Sequence, residues 1–144
     1  VRWTGKVKPA ISTTPVSSID MVPTVLHSLD MKPTADMRGL NLLDQEAINA
    51  RKFIYGEIFL HNAVNTLDPG KNLTYRWGIE GGWKLILPHN ENVTTRAAKG
   101  AKGDGAIELY HLTKDPHETK NLAKQNPAKV AHLRKLINAE WDGK

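Results

Sequence analysis

The chain has 144 residues, 40% of them hydrophobic and 24% charged, no cysteine, and a formal net charge of +5. That balance is ordinary for a globular protein and excludes disulfides and cysteine-based metal sites. It contains no apolar run near the roughly 18 residues needed to span a bilayer, so no membrane partner is expected. The positive charge favours anionic partners in a general way. It is dispersed, however, and its densest group, Arg96, Lys99 and Lys102, lies among Gly and Ala rather than aromatics. A solvated surface accounts for it, and no nucleic-acid partner is expected.

Residues 1–15 read as an extended segment followed by a loop. Ile19, Val22, Leu26 and Leu29 fall at helical spacing, and Ser17 or Asp20 can cap the start. Pro23 fits a first turn, where its missing N–H leaves no bond unmade. A helix from near Ile19 or Asp20 to near Asp30 follows. Lys32-Pro33 to Gly39 is a linker, and Leu40, Leu42 and Leu43 tuck against an apolar surface. Phe53–Phe59 reads as a strand, and His61–Lys71 as a polar loop ending in the turn Asp68-Pro-Gly70. Leu73–Ile79 and Trp83–Leu87 are two further strands. Glu80-Gly-Gly82 between them supplies the positive backbone angles of a tight hairpin. His89–Gly105 is polar and glycine-rich and reads as a mobile loop, and Ile107–Leu112 is a fourth strand.

The strand then enters the turn at Asp115-Pro116, whose carboxylate can accept local backbone N–H bonds. A short helix is expected next, with Glu118 in its first turn, Asn121 as its cap or stop, and Leu122 returning to the core. Asn126 as cap and Pro127 at the first position open a longer C-terminal helix. Its apolar stripe, Val130, Leu133, Leu136, Ile137 and Trp141, must dock across one face of the four strands.

Catalytic patterns fail on inspection. His117-Glu-Thr-Lys-Asn121 opens like a zinc-protease motif, but Asn stands where the second His ligand is needed. Gly100-Ala-Lys-Gly-Asp-Gly105 lacks the Lys-Ser/Thr that grips phosphate, and no Asp-x-Asp cluster suits calcium. No Ser or Thr stands in a nucleophile motif. No catalytic and no metal-binding residue is therefore assigned to this chain. Asn72-Leu-Thr74 and Asn92-Val-Thr94 fit the glycosylation acceptor pattern.

Four blocks carry a resemblance. They are Arg2-Trp-Thr-Gly-Lys-Val-Lys-Pro9, Val16-Ser-Ser-Ile-Asp-Met-Val-Pro-Thr-Val-Leu26, Tyr75-Arg-Trp-Gly-Ile-Glu-Gly-Gly-Trp-Lys-Leu-Ile86, and Glu108-Leu-Tyr-His-Leu-Thr-Lys-Asp-Pro-His-Glu-Thr-Lys-Asn-Leu122. In order, and over nearly the whole chain, they resemble the C-terminal part of the formylglycine-dependent sulfatases of the alkaline phosphatase-like superfamily. Thr4 replaces that family's usual Pro. The match is nearest the arylsulfatase and N-acetylgalactosamine-6-sulfatase-like branch.

The resemblance implies an α+β fold, a small four-stranded antiparallel sheet packed by a C-terminal helix. Residues 1–35 would be the last strand and helix of an alkaline phosphatase-like α/β domain, and residues 36–144 the C-terminal subdomain. Sulfatases use a formylglycine made in Cys/Ser-x-Pro-x-Arg and a calcium ion. This chain has neither motif, so the resemblance places both cofactors upstream, outside it. The implied partners are the rest of the sulfatase chain and a sulfated sugar or aryl sulfate. His61, Asn62 and Arg76 would meet hydroxyl or anionic groups of that substrate, and Trp77 would stack on a sugar face. The family suggests a periplasmic, secreted or lysosomal-type compartment, and the isolated chain is expected to be inactive. Two other readings of the residues stay open: an autonomous glycan-binding or scaffolding module, and the equivalent piece of a phosphoesterase.

Overall fold

The computed structural model describes residues 4–5, 7–8, 11–60, 65–89 and 106–141. The expectations for residues 90–105, including the basic group, the glycine run and the acceptor pattern at Asn92, lie outside the described residues. The chain divides into two compact units, Val1–Arg51 and Lys52–Lys144. Among the described residues, no helix is long and apolar enough to cross a membrane.

In the first unit, a 3-10 turn at Ser18–Asp20 runs into helix α1, Met21–Ser28. Pro23 sits in the first turn of α1, where the sequence places it. The Ser17 N–H donates to Asp20 Oδ2 at 2.8 Å, so the start is fixed from the side chain of Asp20. At the other end, Asp30 turns into the left-handed region at φ 56°, and the Met31 N–H closes onto the Leu26 carbonyl. The helical periodicity is real, but its apolar stripe does not point into the unit. Asp20, Pro23 and Thr24 are buried instead.

Polar bonds explain the reversal. Asp20 accepts from Arg51 Nη1 and Nη2, both at 2.8 Å, and from the Leu40 N–H at 2.9 Å. Thr24 Oγ1 donates to the Asp20 carbonyl and accepts from the Leu42 N–H. Gly39 passes so close that a Cβ there would lie 2.1 Å from the Ile19 carbonyl oxygen. Helix α2, Gln45–Ala50, was not expected from the sequence. Asp44 caps it by accepting the Ala47 N–H at 3.0 Å, and it buries Ile48. At six residues it is too short for a period to show.

The second unit holds strands β1 (Phe53–Phe59), β2 (Leu73–Glu80), β3 (Trp83–Pro88) and β4 (Glu108–His111) in the spatial order β1-β2-β3-β4. All neighbours pair antiparallel. Gly81 and Gly82, at φ 56° and 78°, form the tight turn between β2 and β3. Helix α3, Pro127–Glu140, lies against one sheet face, and Leu133 and Ile137 join Leu85, Leu87 and Leu109 in the core. Gly78 permits this approach, because a Cβ there would stand 2.5 Å from the Phe53 ring and 2.9 Å from Ile137. The four-stranded antiparallel sheet with its C-terminal helix is the fold the sequence implied.

Three local expectations are corrected. Residues 116–122 form turns, not a short helix. Glu118 takes φ 53°, a left-handed conformation that no helix continues through, and its carboxylate binds Lys84 Nζ at 2.7 and 2.9 Å. Asn121 caps no helix. Its side chain accepts the Leu109 N–H and donates to the Ile107 carbonyl, standing beside β4 like a fragment of strand. Asn126 precedes α3, but its side chain donates back to the Leu122 carbonyl and caps nothing. The Asp115 turn does form as expected. The N–H groups of Lys120 and Thr119 donate to Asp115 Oδ2 and hold its carboxyl below the usual carboxylate range.

Asn72 of the acceptor pattern is also committed to the fold. It is buried, its Nδ2 donates to the Asn65 and Asp68 carbonyls, and its Oδ1 accepts the Asn65 N–H. A glycan on this nitrogen is incompatible with those bonds.

Candidate functional site

A strand points successive side chains to opposite faces of its sheet. Arg76 and Trp77 are neighbours on β2, so they cannot serve one ligand together. Trp77 lies on the face away from α3, over Gly56 of β1, where an added Cβ would meet its indole at 2.7 Å. The indole fills the space a side chain would take at Gly56, which is a packing role. Arg76 lies on the helix face. Its Nη1 donates to the Trp141 carbonyl at 2.6 Å, just beyond the end of α3. His61 and Asn62 lie outside the described residues.

The sheet brings other groups to Arg76 that the sequence reading missed. Glu57 is its cross-strand partner on β1, and Leu87 its partner on β3. The Phe59 ring stacks on Trp141 with centroids 6.1 Å apart. His89 follows β3, and its N–H donates to the Thr74 carbonyl at 2.7 Å. Burial first, and then the Arg76 charge, push the His89 imidazole below its ordinary value. His89 is therefore neutral at neutral pH beside a permanent cation. The signal was available: on β2, Thr74 and Arg76 share a parity, and register sets Glu57 opposite Arg76.

This end of the sheet offers a guanidinium, a neutral imidazole, a carboxylate and two aromatic rings. Such groups bind anionic or hydroxyl-bearing ligands. They do not by themselves cleave an ester, which needs a nucleophile and stabilisation of developing charge. Among the described residues, no group of three His, Cys, Asp or Glu side chains could hold a metal ion.

The Arg76 bond has a measurable consequence. A hydrogen bond from a charged donor contributes about 1.5–3 kcal/mol net when well made. Arg76 is partly buried, so Arg76→Ala is expected to cost about 1–2 kcal/mol. Hydrogen exchange should quicken first in the last turn of α3. Unchanged exchange there would show that the bond does not anchor the helix end.

No family model matches the chain. Curated relatives do. An N-acetylgalactosamine-6-O-sulfatase of Bacteroides thetaiotaomicron is 30% identical over 145 residues, covering 96% of this chain and 26% of the relative. An ulvan-active sulfatase of Formosa agariphila is 28% identical over 151 residues, covering 94% of this chain and 30% of the relative. The chain thus spans between 26% and 30% of the length of these relatives. Among solved structures, a Bacteroides thetaiotaomicron sulfatase from work on the metabolism of multiple glycosaminoglycans matches with a TM-score of 0.65. It is 20% identical, and the match covers 92% of this chain and 28% of that one. A protein solved in complex with its substrate D-glucosamine-2-N,6-O-disulfate matches with a TM-score of 0.56 at 18% identity, over 86% of this chain and 23% of that one. At these identities the solved structures show the fold alone.

Proposed function

The chain matches the C-terminal part of a sulfatase, and from that premise we propose that it is the structural subdomain that completes a sulfuric ester hydrolase and shapes its substrate pocket. The observation that carries this reading is a relationship running through 96% of the chain to a relative nearly four times as long. Residues 1–35 would finish an alkaline phosphatase-like α/β domain, and residues 36–144 would form the subdomain. The rest of the sulfatase polypeptide is its partner. The substrate is a sulfated sugar, in keeping with the names of the relatives, or an aryl sulfate.

The groups a sulfatase uses do not fit this chain. It has no Cys and no Ser-x-Pro-x-Arg from which formylglycine could be made. Formylglycine and calcium therefore belong to the remainder of the enzyme, and no step of the chemistry is assigned here. His61 and Asn62 stay proposed contacts to the substrate, and so does Arg76. Its contribution is a fixed positive charge for an anionic or hydroxyl group of the sugar. Trp77 supports the sheet beneath.

The test compares the 144-residue chain with a longer polypeptide from the same gene that contains it. Aryl sulfate hydrolysis is expected from the longer polypeptide and not from the chain alone. Turnover by the purified chain would sink the proposal. Binding of a sulfated glycan by the chain alone, lost on Arg76→Ala, would instead favour an autonomous glycan-binding module. A plain Thr or Ser in place of Cys/Ser-x-Pro-x-Arg upstream would make the enzyme a phosphoesterase.

A further inference from the structure

A groove runs along the outer side of α3. Its helix wall extends from Pro127 to Asn138, about 16 Å at the helical rise, and its other wall is the chain at 106–107 and 123–124. The cavity measures about 810 Å³, within the roughly 300–1,000 Å³ of small-molecule sites. Its floor is aliphatic. Ile107, Ala123 and Val130 pack against the buried core, yet they stay only partly covered themselves. Its rim is cationic. Lys124 stands on one wall and Arg134 and Lys135 on the other, all three exposed. No acidic and no aromatic residue is among the ten that line the groove.

Both walls are fixed by bonds of their own. Leu133 and Ile137 seat α3 in the core. On the other side, Asn121 Nδ2 donates to the Ile107 carbonyl at 3.0 Å, and Asn121 Oδ1 accepts the Ala123 N–H at 2.9 Å. One side chain thus ties the two segments of that wall together. Asn126 Nδ2 donates to the Leu122 carbonyl at 3.1 Å and holds the turn that leads into α3. A groove already in shape spares a ligand the cost of ordering it.

The lining selects among ligands. A sugar would lay its hydroxyls on aliphatic carbon, away from hydrogen-bond partners. A nucleotide base would find no ring to stack on. A protein partner takes roughly 20–30 residues a side, against the ten here. An apolar tail with one anionic head matches both parts of the groove. The tail covers Ile107, Ala123 and Val130, and the head meets the Arg134 guanidinium, whose paired N–H donors match a carboxylate. Lys135 and Lys124 add positive charge on either side. We propose that this groove binds a free single-chain carboxylate, an alkyl chain with an ionised head. The proposal stands on the cavity and its charges, and not on the sulfatase reading.

Calorimetric titration of the 144-residue chain with decanoate, kept below the concentration at which it forms micelles, tests this. One saturable site is expected, with a negative heat-capacity change as apolar surface is covered. Acetate, the head without the tail, should not bind. Decanol, the tail without the charge, should bind at least about tenfold more weakly. Arg134→Ala with Lys135→Ala should weaken decanoate binding by about tenfold or more and leave decanol binding unchanged. Ala131→Trp, at an exposed position on the helix wall, should abolish the binding of both and leave the melting temperature unchanged. The exposed apolar face of α1 is another place where a tail could settle, and decanoate binding that ignores these substitutions would overturn the proposal. Equal binding of decanol and decanoate would do the same, because the cations would then play no part. So would anionic phospholipid vesicles that bind through Arg134 and Lys135 when decanoate does not, since the occupant would be a membrane surface. The longer polypeptide should bind decanoate as the chain does. Loss of binding there would show that protein covers the groove, and would also overturn the proposal.

Discussion

Asp20→Ala is expected to unfold the first unit. The Asp20 carboxylate is 0% exposed, and the Arg51 side chain that meets it is 14% exposed. Removing one partner leaves a largely buried guanidinium uncompensated, at a cost of about 3–5 kcal/mol. It also strands the N–H groups of Ser17 and Leu40. That total rivals the whole stability of a small unit. Amides of α1 should then exchange at the rate of an unstructured chain. A variant that keeps α1 protected would refute the assignment of Asp20 as the hub of this unit.

The same carboxylate predicts a pH response. Burial pushes the Asp20 carboxyl up, but the Arg51 guanidinium and the N–H groups of Leu40 and Ser17 together pull it down further. The net result lies below the ordinary carboxylate range. A group depressed in the folded state contributes stability that is fully present above its unfolded value of about 3.9. That stability is lost as pH falls through the folded value. Wild type should therefore lose stability in strong acid. Asp20→Asn, already weakened at neutral pH, should close the gap to wild type as the pH drops. A gap that stays constant from neutral pH to pH about 2 would show that Asp20 does not titrate with folding.

Leu133→Ala carries the largest expected effect in the second unit. Leu133 is fully buried among Leu85, Leu87, Leu109 and Ile137, where α3 meets the sheet. Truncating a leucine in such a place costs about 2–5 kcal/mol, from lost apolar burial and the cavity left behind. For a unit of this size, each kcal/mol shifts the melting temperature by about 4–8 °C. A fall of about 10 °C or more is expected. Val130→Ala, at a half-buried position on the same helix, should cost about 1 kcal/mol. If the two variants melt together, the helix is not seated through Leu133.

Local signals were legible where the chain needed only its neighbours. The hairpin was announced by Glu80-Gly-Gly82, and β1 by its β-branched and aromatic run. The stripe of α3 was long enough for its period to identify the buried side. Elsewhere, tertiary bonds overrode local preference. The expected helix after Asp115-Pro116 gave way because Lys84, distant in sequence, holds Glu118 in a left-handed turn. Asn121 and Asn126 are good capping residues that found better acceptors and donors across space. On α1 the period was read correctly, but period does not say which side water takes. The polar bonds of Asp20 and Thr24 decide that, the longest in sequence reaching Arg51 across thirty-one positions.

The surroundings of Arg76 were only partly legible. It donates to the Trp141 carbonyl, and the Phe59 and Trp141 rings come from two distant segments that no spacing connects. The separation of Arg76 from Trp77 follows from strand parity alone.

The strand-like placement of Asn121 has a consequence for how this sheet meets other sheets. The outer row of β4 is already taken, with the Leu109 N–H on Asn121 and the Leu109 carbonyl on the Leu122 N–H. A stray β-strand arriving there finds no template. The Asn121 side chain and the Leu122 N–H thus withhold this edge from a second sheet. That protection matters most while the polypeptide is newly made and still folding.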